Sequence, residues 1–440
     1  MIRFPRPSRR EVLAGLSATV LAAPALAQNA GTGVDVAIVG AGAAGIAAAR
    51  KLAASGRSYV LLEAASRVGG RARSDTGLGP VVDLGAATFS RMDGTLADAA
   101  GEAGLPLVAV PSAARLFVDG HEVAESGYDA FALALGRTRR DMLAAADAGK
   151  DGPAAAFLGS RGPWTATVEA MLGPLGCGRA LAAVSTLDLA RRQAPPDDVT
   201  CPLGLGVMLE RLAAWTNLRT DAAVTQITNA GRFYALALRG ERSVIRARTV
   251  ILAVPAAVLV SDAIRFNPVL PARVMLALRG CPSGAIEQVA FTLPGNPLHL
   301  ADNETVLARA GEGAPTLLRG RVGGSDVHVL RFGAAPAQAL SGKGEAARQA
   351  ARTVMRGAFG LDMPEKLLVS NWGGDPLIRG AMAVASPGQG AQRALFASPL
   401  GRLVFAGEYT TPVGWGTLTG AWNSGEIAAE RAIRLTGGPA

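Results

Sequence analysis

The sequence predicts an α/β fold with a parallel central sheet. Residues 34–39 are a short, mostly apolar run, as in a buried parallel strand. A glycine-rich turn at 40–45 follows at once and leads into a helical stretch from about 43 to 55. A second strand-like run, 58–62, ends at an acidic residue, and a strand followed by a helix recurs at 403–435. This alternation of strands and helices is typical of α/β proteins.

The turn has the spacing Gly-x-Gly-x-x-Gly. Gly40 permits a tight turn, Gly42 lets a pyrophosphate approach bare backbone, and Gly45 lets the helix pack closely on the strand. The helix start directs its unpaired N–H groups at the phosphates. Glu63 stands 23 residues after Gly40, near the spacing of the acid that binds a free ribose hydroxyl. These positions predict a dinucleotide site without separating FAD from NAD.

The composition indicates a folded globular protein. Of 440 residues, 49% are hydrophobic and 18% charged. The three cysteines form no CxxC pair and the three histidines are far apart, so we expect no metal site. The formal net charge of +9 falls to +6 without the four arginines and one glutamate of residues 1–27. Because the remaining basic residues are scattered, we expect no nucleic-acid binding.

The amino terminus has the features of a targeting signal. Arg9 and Arg10 precede an uncharged run, 12–27, which ends in Ala-Leu-Ala before Gln28. The pattern resembles a twin-arginine export signal. It predicts recognition by the twin-arginine export machinery and a mature chain in the bacterial periplasm, with an uncleaved membrane anchor as the alternative. Whether two of the cysteines, Cys177 and Cys201, pair there stays open.

Six further segments carry a family resemblance. They are Glu63–Arg71 with its paired glycines, Asp83–Thr88, Ala222–Ile227, Val250–Pro255, Leu403–Glu408 and Gly416–Ala421. Together they resemble the flavin-containing amine oxidase superfamily, which includes monoamine oxidases, polyamine oxidases and histone demethylases. The matches at the two ends of the chain lie more than 330 residues apart.

The resemblance implies a Rossmann-like FAD-binding domain of the GR2 type with an inserted α+β substrate domain. It assigns residues 34–91, 200–263 and 371–437 to the FAD-binding domain, and residues 92–199 and 264–370 to the substrate domain. It implies that FAD is the cofactor. With the glycine-rich turn, it predicts these cofactor-binding residues: Gly40, Gly42, Ala43, Ala44, Gly45, Glu63, Ala64, Gly70, Arg71, Gly85, Ala86, Ala87, Thr88, Val224, Pro255, Trp372, Gly407, Glu408, Thr417, Leu418 and Ala421.

The substrate side departs from the family pattern. Gln288 stands where these enzymes usually place a lysine near the reactive flavin nitrogen. Met382 and Thr417 stand at the positions of an aromatic pair, and Trp415 is either an aromatic wall or a packing residue. Ala381 stands where covalently flavinylated members carry cysteine, so the resemblance implies non-covalent FAD.

The expected activity is oxidation of a small or medium amine at Gln288, Met382, Trp415 and Thr417. The expected electron acceptor is dioxygen or a periplasmic carrier. Two alternatives stay open: a desaturase or oxidase acting on a non-amine, apolar substrate, and a flavin-binding protein with little turnover.

Overall fold

A computed structural model describes residues 33–92, 95–111, 114–159, 162–192, 198–363 and 365–437. Residues 34–440 form one compact unit, and residues 1–33 form another, of which only Gly33 is described. The predicted export signal therefore lies outside the described residues. In the described part of the chain, no helix combines the length and apolar character needed to cross a membrane.

The strands and helices are numbered in chain order within the described ranges. The strands are β1 (Val34–Val39), β2 (Tyr59–Leu62), β3 (Ser74–Asp75), β4 (Val82–Asp83), β5 (Val108–Ala109), β6 (Ala114–Val118), β7 (His121–Glu122), β8 (Val199–Thr200), β9 (Leu218–Arg219), β10 (Val224–Asn229), β11 (Tyr234–Leu238), β12 (Val244–Leu252), β13 (Arg265–Asn267), β14 (Ile286–Thr292), β15 (Thr305–Arg309), β16 (Thr316–Arg319), β17 (Val327–Gly333), β18 (Leu367–Val369) and β19 (Leu403–Phe405). The helices are α1 (Ala43–Ala54), α2 (Thr95–Glu102), α3 (Glu125–Asp147), α4 (Thr165–Leu172), α5 (Pro174–Cys177), α6 (Thr186–Ala190), α7 (Leu205–Ala213), α8 (Ala256–Leu259), α9 (Ala272–Gly280), α10 (Ala334–Leu340), α11 (Gly344–Phe359) and α12 (Leu418–Leu435). Short 3₁₀ helices cover Ala154–Phe157, Leu181–Ala183, Val322–Gly324, Gly390–Ala397 and Glu408–Thr410.

The first sheet contains the predicted strand–turn–helix–strand unit. Its order is β13-β10-β11-β12-β1-β2-β9, and β19 pairs with β12. β1, β2, β12 and β19 run parallel, so their carboxyl ends share one edge. Val36 and Ile38 pack into a core with α1, α7 and α12, whereas Ala37 and Val39 pack into a core on the other face. Burial on both faces explains why β1 is apolar throughout most of its length.

The second sheet borders the candidate site on one face only. Its order is β18-β14-β17-β16-β15-β6-β7. Its pairs are antiparallel except for β6 and β15. Val289, Leu318 and Leu330 pack against α10 and α11 in one core. Since side chains alternate between the faces of a sheet, their neighbours Gln288 and Arg331 lie on the opposite face, toward the cavity described below.

The elements predicted for the cofactor half agree with the structure. The helix predicted from about 43 to 55 is α1, and the one predicted to end near 435 is α12. In the inserted region, β16 ends at Arg319 and residues 322–324 form a 3₁₀ turn. The first insert contributes β6, which pairs in parallel with β15 of the second. The domain boundaries stay a prediction.

Candidate active site

A cavity of about 510 Å³ is lined by residues from both sheets. Every residue predicted to contact the cofactor lines it except Gly45, whose predicted role is helix packing. On the substrate side, Gln288, Met382 and Thr417 line the cavity and Trp415 does not. The fold therefore brings together segments that are separated by more than 300 residues in the sequence.

The glycine-rich turn has the predicted geometry. Gly40 has φ +101°, in the left-handed region that favours glycine, and its N–H donates to the Leu62 carbonyl at 2.7 Å. A Cβ on Gly45 would lie 1.9 Å from the Gly40 carbonyl oxygen, so a larger residue would separate α1 from β1. A Cβ on Gly42 would meet nothing within 4 Å, because this glycine faces the open cavity.

Glu63 is held in place by the backbone around it. One carboxylate oxygen accepts the Ala41 N–H at 2.7 Å, and the other accepts the Ala65 N–H at 2.9 Å. Each oxygen keeps further lone-pair capacity, so the carboxylate can also accept ribose hydroxyls. Val224, another predicted cofactor-binding residue, also lines the cavity.

Glu408 joins three segments that line the cavity. Its Oε1 accepts the Arg71 guanidinium at 2.9 Å and the Ala383 N–H at 3.0 Å, and its Oε2 accepts the Gly416 N–H at 3.1 Å. Arg71 also donates to the carbonyl of Ala381. Glu408 is buried, so this carboxylate fixes Arg71 and both loops at the wall of the cavity.

The start of α12 is directed at the same cavity. Thr417 is the N-cap, and its hydroxyl accepts the Gly420 N–H at 2.9 Å. Leu418, the first helical residue, lines the cavity. The first N–H groups of a helix have no intrahelical partner and form its positive end, which stabilises negative charge. This end therefore suits the pyrimidine side of a flavin ring, where negative charge develops on reduction.

Gln288, on β14, contacts the segment 85–88, whose residues are predicted to bind the cofactor. Its side-chain amide donates to the Gly85 carbonyl at 3.2 Å, and its main-chain N–H donates to the Ser370 hydroxyl at 2.7 Å. The amide oxygen has no hydrogen-bond partner among the described residues. Gln288 carries no charge and cannot act as a base, so it can only position groups by hydrogen bonding.

Trp415 is a packing residue, and the aromatic-wall alternative is not supported by its position. Its side chain is fully buried, and its indole N–H donates to the Asp188 carbonyl at 2.9 Å. The guanidinium groups of Arg192 and Arg393 lie 4.7 and 4.8 Å from its ring. Arg393 also forms a buried two-point ion pair with Asp188, at 2.5 and 2.8 Å. Although burial disfavours its charge, Asp188 outweighs this effect and raises the pKa of Arg393.

The residues present fit a dinucleotide and do not suggest a metal. The cavity has a bare glycine turn, a ribose acid and two helix starts in the order that FAD needs. Within the described ranges, no group of three or more His, Cys, Asp or Glu side chains could hold a metal ion. Cys177, Cys201 and Cys281 are buried and unpaired, and none lines the cavity, so no thiol is placed to bond covalently to a flavin there.

Comparison with known proteins decides the family. The model of the flavin containing amine oxidoreductase family matches residues 43–433. The chain belongs to this family. The match extends from the glycine-rich turn to α12 and so includes both ends of the cofactor cavity.

Individual members of this amine oxidoreductase family show similarity over most of the chain. Polyamine oxidase 3 of Oryza sativa subsp. japonica is 26% identical over 442 residues, which covers 89% of this chain and 88% of the relative. A structure of wild-type putrescine oxidase bound to putrescine has a TM-score of 0.78 at 20% identity, covering 91% of this chain and 99% of that one. Cyclohexylamine oxidase from Brevibacterium oxydans IH-35A has a TM-score of 0.78 at 19% identity, covering 92% and 99%.

These findings confirm the predicted fold, cofactor and enzyme class. The protein is an FAD-dependent amine oxidoreductase with a Rossmann-like FAD-binding domain and an inserted substrate domain. The export signal is tested neither by the family match nor by the described residues.

Sequence reasoning missed three arginines that line the substrate side. Arg319 and Arg331 lie on the cavity face of β16 and β17, and Arg192 follows α6. Arg331 donates to the Leu175 carbonyl at 3.2 Å. Burial lowers the pKa of Arg319 below its ordinary value. The alternation of side chains along a strand could have indicated which face of the sheet Arg319 and Arg331 occupy. Only the strand register shows that this face also carries Gln288.

Glu287 was also missed, although it supports the predicted Trp372 segment. It is buried and accepts the Trp372 N–H at 3.1 Å, the Gly373 N–H at 2.9 Å and the Ser370 hydroxyl. These contacts hold the turn that places Trp372 in the cavity lining. No local sequence signal could have revealed them, since the partners are more than 80 residues away.

Proposed function

We propose that the protein oxidises an amine at the carbon next to nitrogen, using non-covalent FAD bound in the cavity. The chemistry that bound FAD would supply is acceptance of a hydride from that carbon. The proton on nitrogen leaves to solvent, and water hydrolyses the resulting imine to a carbonyl compound. The observation that carries this proposal is the continuous lining from the glycine-rich turn to Gln288, which joins a dinucleotide site to a substrate face.

The protein residues position the reactants and do not act as bases at the reacting carbon. The β14 strand holds Gln288 against the Gly85 carbonyl, and Met382 and Thr417 complete the wall near the start of α12. Hydride transfer needs an amine in its neutral form and a fixed approach to the flavin. Gln288 can orient a water or the amine by hydrogen bonding, in place of the lysine of the family pattern.

The alternative with an apolar, non-amine substrate has less support. Three arginines line the substrate side, and burying an apolar molecule against guanidinium groups would cost their solvation. Two observations stay in its favour: Gln288 in place of the family lysine, and Met382 and Thr417 in place of the aromatic pair. The low-turnover alternative stays open until turnover is measured.

We also propose that the enzyme works in the periplasm, and that its electrons pass to dioxygen or to a periplasmic acceptor. The support is the paired arginines at 9 and 10 and the uncharged run that ends before Gln28. An uncleaved, membrane-anchored amino terminus is the alternative. Cell fractionation with amino-terminal sequencing tests the proposed location. A periplasmic chain that begins at Gln28 is expected, and R9K/R10K should retain the protein in the cytoplasm.

Anaerobic titration of the visible spectrum tests the activity. The chain from Gln28 onward is loaded with FAD and mixed with a panel of amines, polyamines and amino acids. Bleaching of the oxidised flavin by at least one amine class, and recovery of the colour on admission of dioxygen or a quinone, is expected. A loaded protein whose spectrum no amine changes would overturn amine oxidation and leave cofactor binding intact.

A further inference from the structure

Glu287 and Gln288 are neighbours on β14 whose side chains point to opposite faces of the second sheet. Gln288 lines the cavity, and Glu287 lies on the other face, where its side chain is buried. The Glu287 carboxylate accepts three donors, from Ser370, Trp372 and Gly373. All three donors belong to the segment that follows β18, so Glu287 fixes this segment against β14.

The first connection runs from Glu287 through Ser370 to the main chain of Gln288. The Ser370 hydroxyl donates to the Glu287 carboxylate and accepts the Gln288 N–H at 2.7 Å. The Ser370 N–H donates to the Gln288 carbonyl at 2.9 Å. Because a hydroxyl has a single proton, bonding of that proton to Glu287 directs an oxygen lone pair at the Gln288 N–H. Ser370 is only 2% exposed, so solvent does not compete for these bonds.

The second connection runs from Glu287 through Trp372 to the side chain of Gln288. Glu287 accepts the Trp372 N–H at 3.1 Å and so fixes the start of the turn that carries this ring. The ring packs against Gly85, where an added Cβ would lie 2.8 Å from the Trp372 Cζ2 atom. The Gly85 carbonyl in turn accepts the Gln288 side-chain amide at 3.2 Å. Both connections therefore end at Gln288, one at its main chain and one at its side chain.

The amide oxygen of Gln288 is the group that these contacts hold ready. It is buried and has no hydrogen-bond partner among the described residues. A buried acceptor without a donor is unfavourable, and an amine N–H or a bound water would supply that donor. Gly85 is a predicted cofactor-binding residue that lines the cavity, so the same contacts join this oxygen to the cofactor wall.

We propose that Glu287 and Ser370 are positioning residues for amine oxidation, which hold the Gln288 amide oxygen where it accepts a hydrogen bond from the amine or its water. The proposal rests on amine oxidation as the function of the site. Neither Glu287 nor Ser370 lines the cofactor cavity, so both act through Gln288 and Gly85. A misplacement of about 1 Å can cost on the order of 100-fold in rate, so a loosened Gln288 slows hydride transfer without preventing amine binding.

A double-mutant cycle tests whether Ser370 acts through Gln288. The rate of anaerobic flavin reduction at saturating amine is measured for Ser370→Ala, Gln288→Leu and the double variant. Ser370→Ala should slow reduction roughly tenfold, with the dissociation constant of the amine and the FAD content within about twofold of native. In the Gln288→Leu background the same change should add less than about twofold, because the group that Ser370 positions is gone. A full tenfold effect in both backgrounds overturns the proposal.

Thr436→Val is the matched control for the loss of a buried hydroxyl. Thr436 is buried, its hydroxyl donates to the Ala432 carbonyl at 3.1 Å, and it does not line the cavity. This variant should reduce its flavin at the native rate, and slowing equal to that of Ser370→Ala overturns the proposal. Glu287→Gln is the second variant if Ser370→Ala does not fold. Its amide keeps the shape of the carboxylate but must present NH₂ to at least one of the three donors, so the same slowing is expected.

The visible circular dichroism of the bound flavin, recorded without substrate, separates this proposal from the proposed function. Because Gln288 holds the Gly85 carbonyl, Ser370→Ala and Gln288→Leu should change the flavin band in the same direction, and Thr436→Val should keep the native band. If no amine reduces the native flavin, amine oxidation fails and the spectrum alone decides: an unchanged band in Ser370→Ala overturns the positioning role. If amines do reduce the native flavin, a native rate in Ser370→Ala overturns the positioning role and leaves amine oxidation standing.

Discussion

Replacement of Glu408 by glutamine gives the sharpest test of how the two ends of the chain form the cofactor site. The carboxylate accepts three donors, from Arg71, Ala383 and Gly416. Glutamine has the same shape but only one oxygen, and its NH₂ group must face at least one of these donors. The change therefore removes an acceptor and a charge without creating a cavity.

The magnitude follows from burial. A buried donor left without an acceptor costs about 1–3 kcal/mol, and the lost pairing with Arg71 adds to this cost. Because Arg71 is 26% exposed, solvent screens part of the ion pair, and we take about 3 kcal/mol in total. If the loss is expressed in cofactor binding, the dissociation constant of FAD rises roughly 100-fold.

The assay is FAD titration of the deflavinated protein, combined with its free energy of unfolding in urea. Glu430→Gln is the control, because Glu430 pairs with Lys51 at 2.7 Å on the surface of the same helix, α12. An exposed pair is worth about 0–1 kcal/mol, so this variant should bind FAD like the native protein. If Glu408→Gln binds FAD and unfolds as Glu430→Gln does, the role assigned to Glu408 is wrong.

Four further predictions concern Trp415, Gln288 and two buried cysteines. Trp415→Phe removes the hydrogen bond to the Asp188 carbonyl, so the protein should lose about 1 kcal/mol of stability yet keep kcat within about twofold. A tenfold loss of kcat at unchanged stability would instead indicate that Trp415 forms an aromatic wall of the substrate site. Gln288→Leu should slow anaerobic flavin reduction roughly tenfold at unchanged FAD content, and an unchanged rate in stopped-flow measurements would remove Gln288 from the mechanism. Burial raises the pKa of Cys177 and Cys281 to about 11, so Ellman's reagent at pH 8 should find these two thiols unreactive in the folded protein. Fewer than three reactive thiols in the unfolded, unreduced chain would show that a disulfide is present. The folded-state pKa values of both thiols lie above the ordinary value of 9.0. The stability that the two buried thiols contribute is therefore complete below pH 9 and is lost as the pH rises toward 11. Urea unfolding at pH 8 and at pH 10.5 measures this loss.

The cofactor half of the site could be predicted because its signals are local. The turn at 40–45 needs glycines at fixed spacing, and the geometry at Gly40 and Gly45 is what that spacing requires. Glu63 follows its strand directly, so its place at the carboxyl end of β2 also follows from the sequence. In each case, the functional residue and the element that positions it are neighbours in the chain.

The substrate half could not be predicted to the same extent, because its contacts depend on strand register. Gln288 is opposite Arg331 only because β14 and β17 pair with this register, and a shift of β14 by one residue would turn Gln288 away from the cavity. Trp415 is two residues from Thr417, yet its hydrogen bond to Asp188 directs it into the core rather than toward the cavity. The family resemblance supplied Gln288, Met382 and Thr417, but it gave no reason to expect Arg192, Arg319 and Arg331 in the cavity lining.

The most direct test of the central claim is to identify what the folded protein binds. The chain from Gln28 onward is purified, denatured with acid and centrifuged, and the supernatant is analysed by chromatography and mass spectrometry. The account predicts one FAD per chain, released into the supernatant, because no cysteine lines the cavity in the described ranges. A protein that contains no flavin and cannot be loaded with it would contradict the cofactor site, and flavin that stays with the precipitated chain would contradict non-covalent binding.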